Sequence, residues 1–260
     1  MSIFIYFLVS CFIMLKNGQT TIYVALGLIV IILIGGLLYL MFRQSENKGV
    51  ISNLGQQSEE VKTLIKNCFE NNLLQALYLA GVQGGYIKTN EKSIVINDEL
   101  SVGYGYFEGE DILANNEQFI NEVSDYLNFA VEKCADFSKF TNFKVEKKSE
   151  IKSRIEIFDD KVNARLSYPV SVSKNNEVVT YEDLYTTSHN IRLGKILKTA
   201  KGIIQSEVRN PDYIDVVYLS NSELDIKIYD IDATKNLYVI TDDQSVVNGV
   251  KYVFQFANKF

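Results

Sequence analysis

The sequence predicts an α+β protein, with a transmembrane helix near the N-terminus followed by a soluble domain of about three helices and antiparallel β-hairpins. Three observations support this fold class. One uncharged apolar run is long enough to cross a bilayer. Three later segments repeat apolar residues at helical spacing. Between and after them lie short segments in which apolar and polar residues alternate, as in half-buried strands.

The predicted transmembrane helix covers residues 19–42, and its core reads TTIYVALGLIVIILIGGLLYLMF. About 20 apolar residues are needed to cross the hydrocarbon core, so this run is sufficient. Residues 1–18 are interpreted as a leader or a mis-called start, because translation from Met14 would also place a short basic leader before the span. Residues 43–57 are polar and contain glycine, and we expect them to form a flexible linker.

The helical part of the soluble domain is predicted over residues 58–141, with a short hairpin inside it. Ser58 is the expected N-cap of the first helix, because acidic residues follow it in the first turn. Gly81, Gly84 and Gly85 come at the end of this helix, and we expect Gly81 to take the left-handed C′ position. A phosphate-binding loop carries its glycines before a helix, so these three are predicted to be structural.

A candidate ligand shelf lies close to these glycines. The segment 93–107 predicts two strands, and Tyr104 and Tyr106 share one face of the second strand. Gln83 is the one polar side chain between the glycines that could hold a ligand. The alternative interpretation is that the second strand is an ordinary packed core strand.

The remainder of the chain, residues 142–260, is predicted to be β-rich with one amphipathic helix at 191–207. A hairpin is expected to turn at Asp159–Asp160, because aspartates there separate two alternating segments. Further strands are expected at 213–219, 224–229 and 236–241, with a last one near the C-terminus.

Two cysteines lie at helical spacing behind apolar residues of separate predicted helices. Cys68 follows Ile65 and Cys134 follows Leu127, so both thiols are expected to face the core. We predict a disulfide between them, with two buried free thiols as the alternative. A disulfide favours an extracytoplasmic domain. The basic residues after the span favour a cytoplasmic domain instead. We give the disulfide more weight and expect an extracytoplasmic domain.

Composition and residue spacing exclude several classes of site. The net charge is −6 and the lysines are scattered, which argues against a nucleic-acid partner. His189 is the only histidine, so we predict no metal site. Ser188 is adjacent to His189, and adjacent side chains rarely face each other, so we predict no catalytic residue. We also predict no cofactor. Acidic residues occur close together near strand ends, where turns explain them. They are Asp159 with Asp160, Asp230 with Asp232, and Asp242 with Asp243.

Two stretches resemble a known group of proteins. The leader KNGQTTIYVALGLIVIIL and the block CFENNLLQALYLAGVQGGYI (68–87) are similar to an uncharacterised family of single-span membrane proteins from small-genome archaea. The matching motifs are KxGQ-T before a transmembrane helix and C-x-E…L-x-G-x-Q-G-G-Y-I. This family has no known activity to transfer. The leader also resembles archaeal class III, pilin-like signals cleaved before Gln19, although Tyr23 stands where those signals carry an acidic residue.

Together these observations predict a single-pass protein of the cell membrane that acts through protein–protein contacts in the cell envelope. The expected partners are the lipid bilayer and another protein. One alternative is a pilin-like filament subunit formed after leader cleavage. The other is an anchored hydrolase that uses exposed carboxylates.

Overall fold

The structure is a computed structural model that describes residues 54–88, 91–98, 100–182, 184–211 and 213–260. The predicted leader, the predicted transmembrane helix and most of the predicted linker lie outside these residues. The prediction of a mixed α+β domain is confirmed. None of the helices in the described ranges combines the length and the apolar character needed to cross a membrane.

Four helices are numbered here in chain order: α1 over residues 54–82, α2 at Asn116–Cys134, α3 at Leu193–Arg209 and α4 at Val216–Ser220. A 3-10 turn lies at Phe137–Lys139. The first helix already includes residues 54–57, so the linker prediction is wrong there. Ser58 lies inside α1 and is buried, and it is therefore not the N-cap.

The short helix α4 replaces the strand expected at 213–219. The Asp215 side chain accepts a hydrogen bond from the Tyr218 N–H (2.9 Å), which caps the first turn of α4. The Tyr218 hydroxyl also donates to the Thr199 carbonyl oxygen of α3 (3.4 Å). This cap and this tertiary contact override the β propensity of the valines and tyrosines.

The strands in the described residues are β1 Ser93–Asn97, β2 Leu100–Phe107, β3 Glu110–Asp111, β4 Lys144–Lys147, β5 Lys152–Ile157, β6 Val162–Ser167, β7 Val170–Lys174, β8 Glu177–Tyr181, β9 Leu184–His189, β10 Asp225–Asp232, β11 Lys235–Val247 and β12 Val250–Lys259. Six of them form a mixed sheet in the order β1-β2-β12-β11-β10, with β3 beside β2. The β2–β12 pairing is parallel, and the other pairings in this sheet are antiparallel. Because β2 lies before residue 142 and β12 after it, the helical and β-rich parts of the chain share one sheet.

The other six strands form two ladders, β4-β7-β8 and β5-β6-β9. The same three stretches of chain supply both ladders in the same order, so together they form one meander of long antiparallel strands with a break. Pro169 lies at the break between β6 and β7, where its missing N–H interrupts the ladder. The Lys148 N–H donates to the Pro169 carbonyl oxygen (2.9 Å) and bridges the break. The predicted turn at Asp159–Asp160 joins β5 to β6, as expected.

The glycine-rich segment ends α1, but at a different glycine from the one predicted. The Gly85 N–H donates to the Ala80 carbonyl oxygen (2.7 Å), a bond that defines a Schellman motif with Gly84 at C′. Gly84 and Gly85 have φ of +79° and +93°, whereas Gly81 remains helical. The prediction of a left-handed Gly81 is therefore wrong. The helix continues to Val82, whose carbonyl oxygen accepts a hydrogen bond from the Gln255 side chain of β12 (2.6 Å).

Gly81 has a different structural reason to be glycine. A Cβ at this position would lie 2.5 Å from the Val253 carbonyl oxygen and 2.8 Å from the Tyr252 hydroxyl. The absent side chain lets α1 approach β12 closely enough for the Tyr252 hydroxyl to donate to the Leu77 carbonyl oxygen (3.0 Å). The predicted structural role of Gly81 therefore comes from close packing rather than from its own backbone conformation.

The disulfide between Cys68 and Cys134 is formed, and its Cα atoms are 5.7 Å apart. It joins α1 to the last residue of α2. Cys68 is buried as predicted, but Cys134 is exposed. The buried stripe of α2 consists of Phe119, Val123, Leu127 and Val131. The prediction that Cys134 faces the core is wrong because the stripe ends one turn before it.

Candidate functional site

The site begins with a carboxyl group, that of Glu207, buried near the C-terminal end of α3. The apolar face of α3 includes Ala200, Ile203 and Ile204, and Glu207 occupies the next position on that face. Only 2% of Glu207 is exposed to solvent. A buried carboxyl group requires hydrogen-bond partners, and the six-stranded sheet provides them.

Two side chains from neighbouring strands donate to Glu207. The Tyr238 hydroxyl of β11 donates to Oε1 (2.5 Å), and the Asn258 amide of β12 donates to Oε2. Asn258 is fixed in turn, because its own Oδ1 accepts from the Tyr106 N–H (3.0 Å). The Tyr238 ring stacks on Phe256 at a centroid distance of 5.1 Å. The carboxyl group is therefore held rigidly between α3, β11 and β12.

This environment changes the acidity of Glu207. Burial raises the pKa of the carboxyl group, and the hydrogen bonds from Tyr238 and Asn258 lower it by less, so that the pKa is about 7. The group therefore titrates close to neutral pH. Perturbed carboxyl groups are common at functional sites, although structural networks also produce them.

The segment 213–220 covers the carboxyl group from outside. A small cavity of about 10 Å³ lies between this segment, α3 and β11, and Glu207, Ile214 and Tyr238 are among its lining residues. This volume corresponds to about one water molecule. Gly202 of α3 leaves space for the Tyr218 ring, which packs across it.

The outer side of the same segment is apolar and exposed. We define the apolar surface as Tyr213, Ile214, Val216, Val217 and Tyr218, all of which are exposed. The exposed fractions of Val216 and Val217 are 64% and 65%. Single exposed apolar residues are common, whereas five of them within six positions form a cluster of the kind found at many interaction surfaces.

No known protein family, curated protein or solved structure matches the chain. Any functional assignment therefore depends on the site itself.

The predicted ligand shelf does not form an open site. Tyr104 and Tyr106 are buried, and the Tyr106 ring packs against Phe260 at 5.4 Å. Gln83 is half-buried, and its main-chain carbonyl accepts from the Gly103 N–H (3.1 Å). Its side-chain Oε1 is buried without a hydrogen-bond partner among the described residues.

The polar residues that suggested chemistry in the sequence lie apart from Glu207. His189 ends β9, where burial lowers its pKa and the charge of Glu70 raises it by less. The neighbouring Ser188 hydroxyl donates to Asn163 (2.8 Å) and not to His189. No group of three or more His, Cys, Asp or Glu side chains in the described parts of the chain is arranged to hold a metal ion.

Asp242 has a structural role at the start of α3. The Arg192 guanidinium donates to both oxygens of the Asp242 carboxylate, at 2.9 and 2.5 Å, and the Ser245 hydroxyl donates to the same group. Ser245 also accepts from the Arg192 N–H (2.8 Å). These bonds attach the residue before α3 to β11.

We missed Glu207 at the sequence level, although a signal for it exists. A charged residue that continues the apolar stripe of a helix is unusual, because a buried carboxyl group is costly without partners. The partners themselves could not be identified from the sequence, since Tyr238 and Asn258 lie 31 and 51 positions away along the chain.

The raised pKa of Glu207 predicts a dependence of stability on pH. From about pH 4.5 to about pH 7 the unfolded chain loses the Glu207 proton while the folded protein retains it. The contribution of this group to stability is therefore complete below pH 4.5 and decreases as the pH rises to 7, by up to about 3 kcal/mol. We expect urea unfolding of Glu207→Gln, followed by circular dichroism, to lack this decrease.

The difference in unfolding free energy between wild type and variant isolates the pH dependence due to Glu207, because the other carboxyl groups are present in both proteins. The glutamine resembles the neutral, protonated form of Glu207, so any cost of the substitution is independent of pH in this range. A difference in unfolding free energy between the two proteins that stays constant from pH 4.5 to pH 7 would contradict the raised pKa.

Proposed function

We propose that this chain is a single-pass membrane protein whose domain, Gln57–Phe260, binds another protein of the cell envelope through the apolar surface. The observation that carries the proposal is the exposure of five apolar residues between Tyr213 and Tyr218. The uncharged run at 19–42 supports a membrane anchor. The disulfide supports an extracytoplasmic location, because such bonds persist in oxidising compartments.

The apolar surface lies far from residue 57, where the chain enters the domain. Contacts of Leu77 with Tyr252 and of Val82 with Gln255 show that α1 and β12 run in the same direction. Residues 57–82 of a helix span about 38 Å. The cavity under the apolar surface is lined by Tyr238, which lies opposite Phe256, beyond the end of α1. The surface is therefore roughly 35–40 Å from residue 57, where the chain enters the domain.

Charge argues against a bilayer or a second copy of the chain as the occupant. Asp215 lies inside the apolar surface, and Glu223 and Asp225 follow α4. Glu223 is paired with Lys195 and Arg192, and Asp225 is paired with Lys227. Asp215 has no cationic partner among the described residues, and it would repel anionic lipid or the same carboxylate of a second copy. A different protein with an apolar and basic surface is the occupant that fits.

At least one carboxylate of each acidic pair that an anchored hydrolase would use is engaged in an ion pair. Asp159 accepts from Lys198 (2.7 Å), and Asp243 lies 2.7 Å from Lys251. Asp232 accepts from Lys235 (2.8 Å) and also caps a turn through Thr234. Each pair has a structural explanation, so protein binding is the function that we propose.

A photo-cross-linking amino acid at position 217 of the full-length protein tests this proposal in native membranes. Val178 provides the matched control site, because its exposed fraction of 62% is close to the 65% of Val217, while it lies on β8 in a different sheet. We expect a discrete protein adduct at position 217 and none at position 178. Wild-type protein without the cross-linker should compete for the partner and reduce the adduct. The Val217→Asp variant should compete at least about tenfold less well, because binding would bury the new charge without a partner.

Several results would reject protein binding at this surface. Adducts with lipid only or with a second copy of the chain identify a different occupant. Equal adducts at positions 217 and 178, or equal competition by Val217→Asp, show that the apolar surface has no specific partner.

A further inference from the structure

We infer that the partner binds as an extended basic segment that adds a strand to β10, an inference that rests on the proposed function. In the described part of the six-stranded sheet, β10 is a terminal strand that pairs with β11 on one side only. It is eight residues long. Alternate N–H and C=O groups along its outer side are therefore open to a further strand.

The charged residues along β10 are mostly acidic, which distinguishes this edge from the lysine-rich edge of the meander. Natural sheet edges are commonly blocked by lysines, and the edge formed by β4 and β5 carries Lys144, Lys147 and Lys152. In contrast, β10 carries one lysine and three aspartates, and it exposes Tyr229 and Ile231. Aromatic and β-branched side chains on an open edge favour pairing with another strand.

The apolar surface lies beside the same edge. Ile228 of β10 pairs with Tyr238 of β11, and Tyr238 lines the cavity under α4 together with Ile214 and Leu219. Side chains of paired residues point to the same face of a sheet. Every second side chain of a strand added to β10 would therefore point towards the apolar surface, which is how strand addition combines main-chain affinity with side-chain specificity.

The local charge selects a basic segment. Residues 210–234 contain six acidic residues and one lysine, a net charge of −5 in a chain whose total is −6. Some of these acids are neutralised by lysines from other elements, for example Asp232 by Lys235. Asp215 and Asp230 have no lysine or arginine partner among the described residues. Lysine or arginine in the added segment would supply that partner, whereas two β10 edges would repel each other.

Selection of random twelve-residue peptides displayed on phage, against the full-length protein, tests this inference without a known partner. We expect enriched sequences in which β-branched or aromatic residues alternate with lysine or arginine. Asp230→Lys should weaken the binding of a synthetic enriched peptide at least about tenfold, because like charges then face each other. The matched control is Glu177→Lys, an exposed acidic position at the start of β8, which should leave binding unchanged.

Hydrogen exchange locates the peptide. Strand addition should slow the exchange of alternate amides of Asp225–Asp232, and circular dichroism verifies that each variant is folded. The inference is overturned if no sequence is enriched, if the enriched peptides lack basic residues, or if protection appears at another edge such as β1.

Two further results separate this inference from the proposed function. Suppose that the peptides bind the Val217→Asp variant more weakly but do not change the amide hydrogen exchange of β10. This result would support protein binding at the apolar surface and would reject strand addition. Peptides insensitive to both Val217→Asp and Asp230→Lys would reject strand addition, and cross-linking at position 217 would still decide the proposed function.

Discussion

Loss of the Cys68–Cys134 disulfide is expected to lower the free energy of unfolding by about 4 kcal/mol. The two cysteines are 66 positions apart, and a bond that closes a loop of this size strongly restricts the unfolded chain. The bond also supplies the covalent connection between α1 and α2. Because Cys134 is exposed, a reducing agent should reach the disulfide in the folded protein.

The measurement is urea unfolding of the full-length protein in detergent, followed by circular dichroism. The variant Cys68→Ala/Cys134→Ser is compared with wild type before and after reduction by dithiothreitol. Agreement between the variant and the reduced wild type shows that the effect comes from the bond rather than from the new side chains. Cys11→Ser, which changes the remaining cysteine, is the matched control. Equal unfolding midpoints for reduced and oxidised wild type would show that the disulfide adds no stability.

Substitution of Gly81 by alanine is expected to destabilise the protein by about 1–3 kcal/mol, the usual cost of overpacking. The new Cβ would lie 2.5 Å from the Val253 carbonyl oxygen, which belongs to the backbone and cannot rotate away. The helix α1 must then move away from β12. This movement lengthens the hydrogen bond from the Tyr252 hydroxyl to the Leu77 carbonyl oxygen. Gly81→Val should have a larger effect, because its side chain also meets the Tyr252 ring.

Whether Gly81→Ala lowers or raises the stability decides if close packing requires glycine at this position. In a helix without steric conflict, alanine is more favourable than glycine by about 1 kcal/mol, so a stabilised variant would contradict the close packing. Gly249→Ala is the control for backbone strain, because Gly249 has φ +80° and no heavy atom within 4 Å of a new Cβ. It should cost only about 1 kcal/mol. Thermal unfolding followed by circular dichroism measures all three variants.

The glycine-rich segment shows how far local reasoning extends. The order of residues was sufficient to predict that the glycines follow a helix and end it. It was not sufficient to decide which glycine takes the left-handed conformation. The last turn of the helix contacts β12, where Gln255, 173 positions after Val82, donates to the Val82 carbonyl oxygen, and no local pattern reveals such a contact.

The segment 213–219 shows the opposite case, in which a local pattern was misleading. Its valines and tyrosines have high β propensity, and a strand was the natural prediction. The structure forms α4 instead, because Asp215 caps it and Tyr218 packs on α3. Most of its apolar side chains consequently remain outside the core, and the apolar surface could not be recognised until the fold was known.

The sequence by itself predicted the α+β class, the position of α3, the turn at Asp159–Asp160 and, with two free thiols as the alternative, the pairing of Cys68 with Cys134. These features follow from periodicities and turn residues that act over a few positions, or from the small number of cysteines. Only the tertiary structure decided that β10 is a sheet edge, that the apolar surface stays exposed, and that Glu207 is buried between Tyr238 and Asn258. The physical reason is that burial and strand pairing depend on residues far apart in the chain, which no local pattern specifies.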